Sequence, residues 1–220
     1  MEDRRDVPNY SLPEAAWSLG LPVGTVRRWF QHGKGLPGVI VPAESDPLRL
    51  SFNNMAELYI LATIRRQHGV SLENVRRALA TIKRLDQVNH PLIAHDLYTD
   101  GASLFSKAYG ELVNLSASGQ IALAKLLDAS LKRVERDESG KVIRLHLWVK
   151  DPITEPKILA IDPRVNFGRL TLTHGGVPLD VLADFWRAGD KIADLAAAYH
   201  VDPSEVETAL QWVARGEAAA

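Results

Sequence analysis

The chain has 220 residues, 46% of them hydrophobic, a net charge of -1 and no cysteine. That length holds one large domain or two to three small ones, and the missing thiols exclude disulfides, zinc fingers and cysteine nucleophiles. No apolar run is long enough to span a membrane, and the opening MEDRRDVPNY lacks the apolar core of a signal peptide, so a cytoplasmic protein is expected. The near-neutral total hides an asymmetry. Residues 20–84 carry ten Lys/Arg against four Asp/Glu, whereas residues 85–220 carry 14 against 19. A basic first third on an acidic remainder suggests a nucleic-acid module joined to a part that does not touch nucleic acid.

In chain order, residues 10–30, YSLPEAAWSLGLPVGTVRRWF, predict two short helices joined by a tight turn. Ser11 suits the N-cap, Pro13 the first turn, and Glu14 closes a capping box three positions on. Leu12, Ala15, Ala16 and Leu19 repeat at helical spacing and face a core; Gly20 supplies the left-handed stop. The second helix starts at Pro22 or Val23. It puts Val26, Trp29 and Phe30 on one face and Thr25, Arg28 and His32 on another, with Arg27 beside them. Such a helix fits the major groove, with side chains near base edges and phosphates. The plainer alternative is a helical hairpin with surface arginines.

Gly33, Gly35 and Gly38 mark a loop. Two apolar runs, 39–41 and 48–52, flank PAESDP and predict a β-hairpin with Pro42 and Pro47 at strand ends. A hairpin behind a recognition helix is a wing, and Arg49 would place a cation on the DNA backbone or minor groove. Ser51 or Asn53/Asn54 caps a helix over about 55–68, stopped by Gly69; a second helix runs from Ser71 to about 88. Leu72, Val75, Leu79 and Ile82 form its apolar stripe. Arg76, Arg77, Lys83 and Arg84 lie elsewhere on it, facing either phosphate or solvent.

From about residue 92 the alternating run around Asp100-Gly101 reads as a hairpin or turn. Residues 121–131 read as a helix, and 131–136 with 142–149 as two strands around DESG. DPITEPK reads as a linker or extended segment. The last part predicts a short strand, a hairpin-like 170–173, and three helices: from Pro178 or Leu179 to 188–189, over 191–199, and from Asp202-Pro203-Ser204-Glu205 onward. The last two again resemble a helix-turn-helix, but Asp202, Glu205 and Glu207 would be repelled by phosphate, so protein contact or dimerisation is the expected use. Phe185, Trp186, Tyr199 and Trp212 are expected in the core, or failing that in an interface.

Little points to catalysis. His90, His95 and Asp96 form a loose group without a strong ligand spacing. Nucleophile-elbow, P-loop and dinucleotide motifs are missing, and Gly175-Gly176 reads as a turn before a helix. No enzyme activity, cofactor or metal is expected.

Two blocks resemble known families. The first, residues 10–30 with the wing and the helix pair behind it, is similar to the MerR-type winged helix-turn-helix; Tyr10, Ser11, Ala15, Ala16, Gly20, Thr25, Arg27, Arg28 and Trp29 follow its pattern. The long coiled-coil helix and cysteines usual at the effector end of that family are missing. The second, residues 161–212, resembles a small helical domain of formally unknown function found in many bacterial antitoxins. Asp162, Pro163, Gly168, Arg169, Gly175, Val177, Gly189, Ile192, Leu195, Tyr199 and Leu210 carry the likeness, and Gly176 stands where arginine is common.

Together the two blocks resemble a VapB-type antitoxin of a toxin–antitoxin pair. The resemblance implies operator DNA and a cognate toxin, a PIN-domain ribonuclease, as partners, with the antitoxin acting as a homodimer. The DNA-binding residues expected are Tyr10, Ser11, Thr25, Arg27, Arg28, His32, Lys34 and Arg49. For the toxin side, Arg215 in the tail or Lys150 and Lys157 in the linker would pair the toxin's metal-binding acids. The fold class expected is mainly α with small β elements. A winged helix-turn-helix over 1–90, an α+β middle over 91–151, a linker over 152–157 and a helical domain with a helix-turn-helix-like trio over 158–220 make up the chain. Two other readings are a stand-alone MerR-like transcription regulator with a small-molecule site around residues 95–150, and an adaptor whose helical units only mediate association.

Overall fold

The structure, a computed structural model, describes residues 3–30, 39–68, 72–80, 89–94, 97 and 102–219. The readings made for His32, Gly33, Lys34, Gly35, Gly38, Gly69, Ser71, Ile82, Lys83, Arg84, His95, Asp96 and Asp100-Gly101 lie outside those residues.

Strand β1 (Tyr10–Ser11) runs directly into helix α1 (Leu12–Ser18). The capping box forms as expected: Glu14 N donates to Ser11 Oγ at 3.4 Å and Ser11 N donates to the Glu14 carboxylate at 2.7 Å. Leu12, Ala15, Ala16 and Leu19 are buried, and Gly20 takes φ +60° to end the turn. Helix α2 (Val23–Phe30) buries Val26, Trp29 and Phe30.

The hairpin behind α2 is shorter and further along the chain than the apolar runs predict. Its strands are β2 (Glu44–Ser45) and β3 (Leu48–Leu50), and β3 also pairs with β1, giving the antiparallel order β1-β3-β2. Val39 and Ile40 are buried, yet outside any strand. The cause is the fully buried Asn54. Its side chain accepts from Ala43 N and Ser51 N and donates to the Val41 carbonyl, so the backbone at 41–43 is satisfied by an amide side chain instead of a ladder.

Helix α3 (Phe52–His68) begins three residues before the expected Met55 because Ser51 is its cap, with Asn54 N donating to Ser51 Oγ at 3.2 Å. Helix α4 (Leu72–Ala80) buries Val75 and Leu79 as the stripe predicts. Of the run read as a hairpin or turn around Asp100-Gly101, the described residues from 102 onward lie in helix α5 (Ala102–Leu112). Phe105 and Tyr109, one helical turn apart, are both buried with rings stacked at 5.8 Å. This is the helical period of a buried face. Helix α6 (Ala117–Leu131) opens at Ser116, whose Oγ accepts from Gly119 N, and buries Leu123, Leu127 and Leu131. Helices α3 to α6 pack on one another.

A four-stranded antiparallel meander follows, in the order β4 (Val134–Arg136), β5 (Val142–Leu147), β6 (Leu159–Ile161), β7 (Leu170–Leu172). The segment expected to be a linker, 152–157, therefore joins neighbouring strands of one sheet. It is fastened by the buried Arg133, which donates to the carbonyls of Pro152, Leu147 and Glu155. The Glu155 carboxylate in turn accepts from the backbone amides of Val149, Lys150 and Asp151. Helices α7 (Leu179–Arg187), α8 (Ile192–Tyr199) and α9 (Pro203–Ala219) complete the chain close to their expected bounds. Helix α9 packs on α7 and α8 and reaches back to α1. The architecture is mainly α with small antiparallel sheets. No described helix is long and apolar enough to cross a membrane.

Candidate nucleic-acid interface

Because α2 buries Val26, Trp29 and Phe30, its remaining positions face outward: Arg27 and Arg28 are exposed and Thr25 half-buried. Arg28 lies along the helix, donating through Nε to the Gly24 carbonyl at 3.2 Å and through a terminal nitrogen to Thr25 Oγ1 at 3.4 Å. Arg65, from α3, stands with its guanidinium 5.6 Å from the centre of the Trp29 ring. Burial, then the repulsion of Arg28 beside it, holds Arg65 below the ordinary guanidinium value. Two cations thus crowd one face of α2, and an anion placed there would relieve the repulsion. Arg65 was legible only as half of an Arg-Arg pair; its place above Trp29 needs the α2–α3 packing. On the hairpin, Arg49 is exposed and sits opposite Ser11 and Glu44 in register.

Two of the residues expected at DNA have their hydroxyls engaged within the chain. Tyr10 is 6% exposed, its hydroxyl donating to the Gly168 carbonyl at 2.9 Å, and burial pushes its phenol pKa upward. The Ser11 hydroxyl is spent on the α1 cap. Both positions build the base of the helix pair instead of its outer face. His90 is likewise committed, with Nδ1 2.9 Å from the buried Glu57 carboxylate and Nε2 3.0 Å from Asp6. No group of three or more potential metal ligands occurs among the described residues.

The helix pair is fastened to the C-terminal part along a seam. A Cβ at Gly168 would stand 2.1 Å from the Tyr10 hydroxyl oxygen, and the residue has φ +79°, so glycine is required twice over. Asn9 Nδ2 donates to the Phe167 carbonyl at 2.8 Å. Gly216 on α9 lets Trp17 of α1 approach. Arg215 donates to the Val149 carbonyl at 3.0 Å and lies over the Trp212 ring, so it is an internal fastener and not the free cation the tail suggested.

At the seam's outer edge Asn166 and Phe167 hold left-handed φ of 45° and 57°. Such conformations cost on the order of 1–3 kcal/mol each for non-glycine residues. Phe167 is nevertheless 89% exposed. It stands at the rim of a cleft of about 600 Å³ between α1, the α1–α2 turn and β7. This cleft is apolar, unlike the lysine-lined hollow of the middle region around Lys125 and Lys132. Phe185 and Trp186, expected in the core, are 45% and 50% exposed on α7.

The chain thus combines a basic helix pair and a short hairpin with a helical and sheet-bearing body. Residues 159–213 match a family described as protein of unknown function, DUF433. A Mycobacterium tuberculosis (strain ATCC 25618 / H37Rv) protein named "Putative antitoxin VapB45" is 29% identical over 97% of both chains. "Uncharacterized protein Rv2308" of the same organism is 24% identical, covering 92% of this chain and 89% of its own. The crystal structure of Rv2018 from Mycobacterium tuberculosis matches with a TM-score of 0.69 at 25% identity, over 94% of this chain and 100% of that one.

Proposed function

We propose that the chain is an antitoxin that binds operator DNA and neutralises a cognate toxin, a PIN-domain ribonuclease, by direct protein contact in the cytoplasm. The observation that carries the reading is the likeness to the antitoxin-named relative along nearly the whole of both chains. The geometry adds support. Thr25, Arg27 and Arg28 on the outer face of α2, with Arg65 beside them, form a cationic face of the kind that neutralises phosphate and reads base edges. Arg49 on the hairpin is the wing contact. The toxin is held by the other end, where exposed Phe185 and Trp186 of α7 offer apolar anchors beside the Arg187 ion pairs to Asp184 and Glu217.

Co-expression with the adjacent reading frame tests the reading. A neighbour that stops growth alone, is harmless with this chain and copurifies with it supports the antitoxin role. A harmless neighbour that leaves no complex overturns it.

A further inference from the structure

The cleft beside Phe167 has a makeup that neither the helix pair nor the seam uses. Its volume of about 600 Å³ lies within the range of small-molecule sites. Pro13, Trp17, Leu21, Val23 and Leu170 give it apolar walls. Phe167 stands at its rim almost wholly in solvent, on a left-handed backbone. Three hydrogen bonds hold that mount: Asn9 to the Phe167 carbonyl, Tyr10 to the Gly168 carbonyl, and Asn166 Nδ2 to the Gly176 carbonyl. A ring fixed at the mouth of an apolar cleft is placed to cover a guest, and aromatic faces attract cations.

Charge selects the guest. Two carboxylates and one guanidinium line the cleft: Glu14, Asp180 and Arg169. Arg169 and Asp180 pair with each other, which leaves the negative charge of Glu14. The capping box takes up lone pairs of Glu14 and not its charge. The Ser11 hydroxyl and amide, with Arg49 nearby, hold the carboxyl below its ordinary range against partial burial, so it is ionised at neutral pH. Glu14 takes part in no ion pair among the described residues. The Tyr10 hydroxyl and the Asn9 amide already donate to the turn. A phosphate or carboxylate in the cleft would face Glu14 unopposed, since Arg169 is taken. We infer that the cleft binds an organic monocation with an apolar body, its charge met by Glu14 and the aromatic rings, its body by the apolar walls. This goes beyond operator and toxin binding and rests on neither.

Isothermal titration calorimetry of the full chain is the experiment, with tetraphenylphosphonium as the probe and tetraphenylborate, the anion of the same shape, as its counterpart. The cation is expected to bind, and the anion to bind about tenfold more weakly or worse. Glu14→Gln removes the charge and keeps the capping box, which a glutamine also closes. Phe167→Asn removes the ring with a side chain that tolerates a left-handed φ. Each should weaken the cation by about fivefold or more, whereas Phe185→Ala/Trp186→Ala should leave its affinity unchanged. The indole resonance of Trp17, assigned with Trp17→Phe, should shift on titration. A cation that does not bind, an anion that binds as tightly, an affinity that survives Glu14→Gln or a folded Phe167→Asn, an unmoved Trp17 resonance, or loss of binding in the α7 double variant would each overturn the inference. Should Phe167→Asn lose its circular-dichroism signal, Glu14→Gln and the anion still decide. Promoter binding and toxin neutralisation are scored without either probe, so their failure and the failure of this site are told apart.

Discussion

Single side chains carry both the cationic face of α2 and the seam beneath it. Arg28 is held along α2 by contacts to Gly24 and Thr25, so its guanidinium is pre-positioned for an anion. Arg28→Ala should weaken binding to a promoter fragment by about 1–3 kcal/mol in a fluorescence-anisotropy titration; unchanged affinity would move recognition elsewhere. Gly168 answers a steric demand from Tyr10. Gly168→Ala should lower unfolding free energy by about 2–4 kcal/mol, through overpacking and a strained φ together. Tyr10→Phe alone should cost about 1 kcal/mol for the lost hydrogen bond. The double variant should fall short of the sum, since removing the hydroxyl also removes the clash. Strict additivity in urea titrations would show that the two residues do not meet.

Among the elements, the β5–β6 connection stands out. A loop with two prolines and no apolar periodicity is held by one buried guanidinium bonded to three carbonyls. Arg133→Met keeps the length and apolar stem but strands those acceptors. A loss of about 3 kcal/mol or more is expected in chemical denaturation, and a change below 1 kcal/mol would mean that water replaces the donor. Nothing in the sequence around Arg133 announces this role, because its partners lie 14 to 22 positions away. Elements fixed by local chemistry were legible: the α1 capping box, the Gly20 stop, and the two strands around DESG. Elements fixed by distant partners were not. Asn54 reads as a cap candidate, yet its amide satisfies the loop at 41–43 and shifts the hairpin. Of the candidate DNA face, Thr25, Arg27 and Arg28 were readable from helical spacing, whereas the inward turn of Tyr10 depends on a carbonyl 158 positions along.

At the scale of the whole molecule, His90 ties the N-terminal segment to α3 through Asp6 and the buried Glu57. Burial opposes its imidazolium, but the bonds to Glu57 and Asp6 outweigh that and raise its pKa above the ordinary value. Burial likewise pushes Glu57 upward, against the pull of His90. An unfolded histidine titrates near about 6.5. The stabilisation from His90 is therefore complete below that pH and is lost as pH rises through the higher folded value. Thermal unfolding should show Tm declining above about pH 6.5 in the wild type relative to His90→Gln. Parallel curves for the two would remove His90 from the account.

The order of the four-stranded sheet has a practical corollary for dissecting this chain. The family match begins at residue 159, the first residue of β6. All three residues of β6 are buried between β5 on one side and β7 on the other. The sheet that holds β6 is therefore larger than the block that sequence comparison recognises. A fragment cut at 158 would bare an apolar edge strand, the kind of surface that templates intermolecular pairing and precipitates. A fragment that keeps β4 and β5, starting before residue 134, restores the missing neighbours and is the one to express.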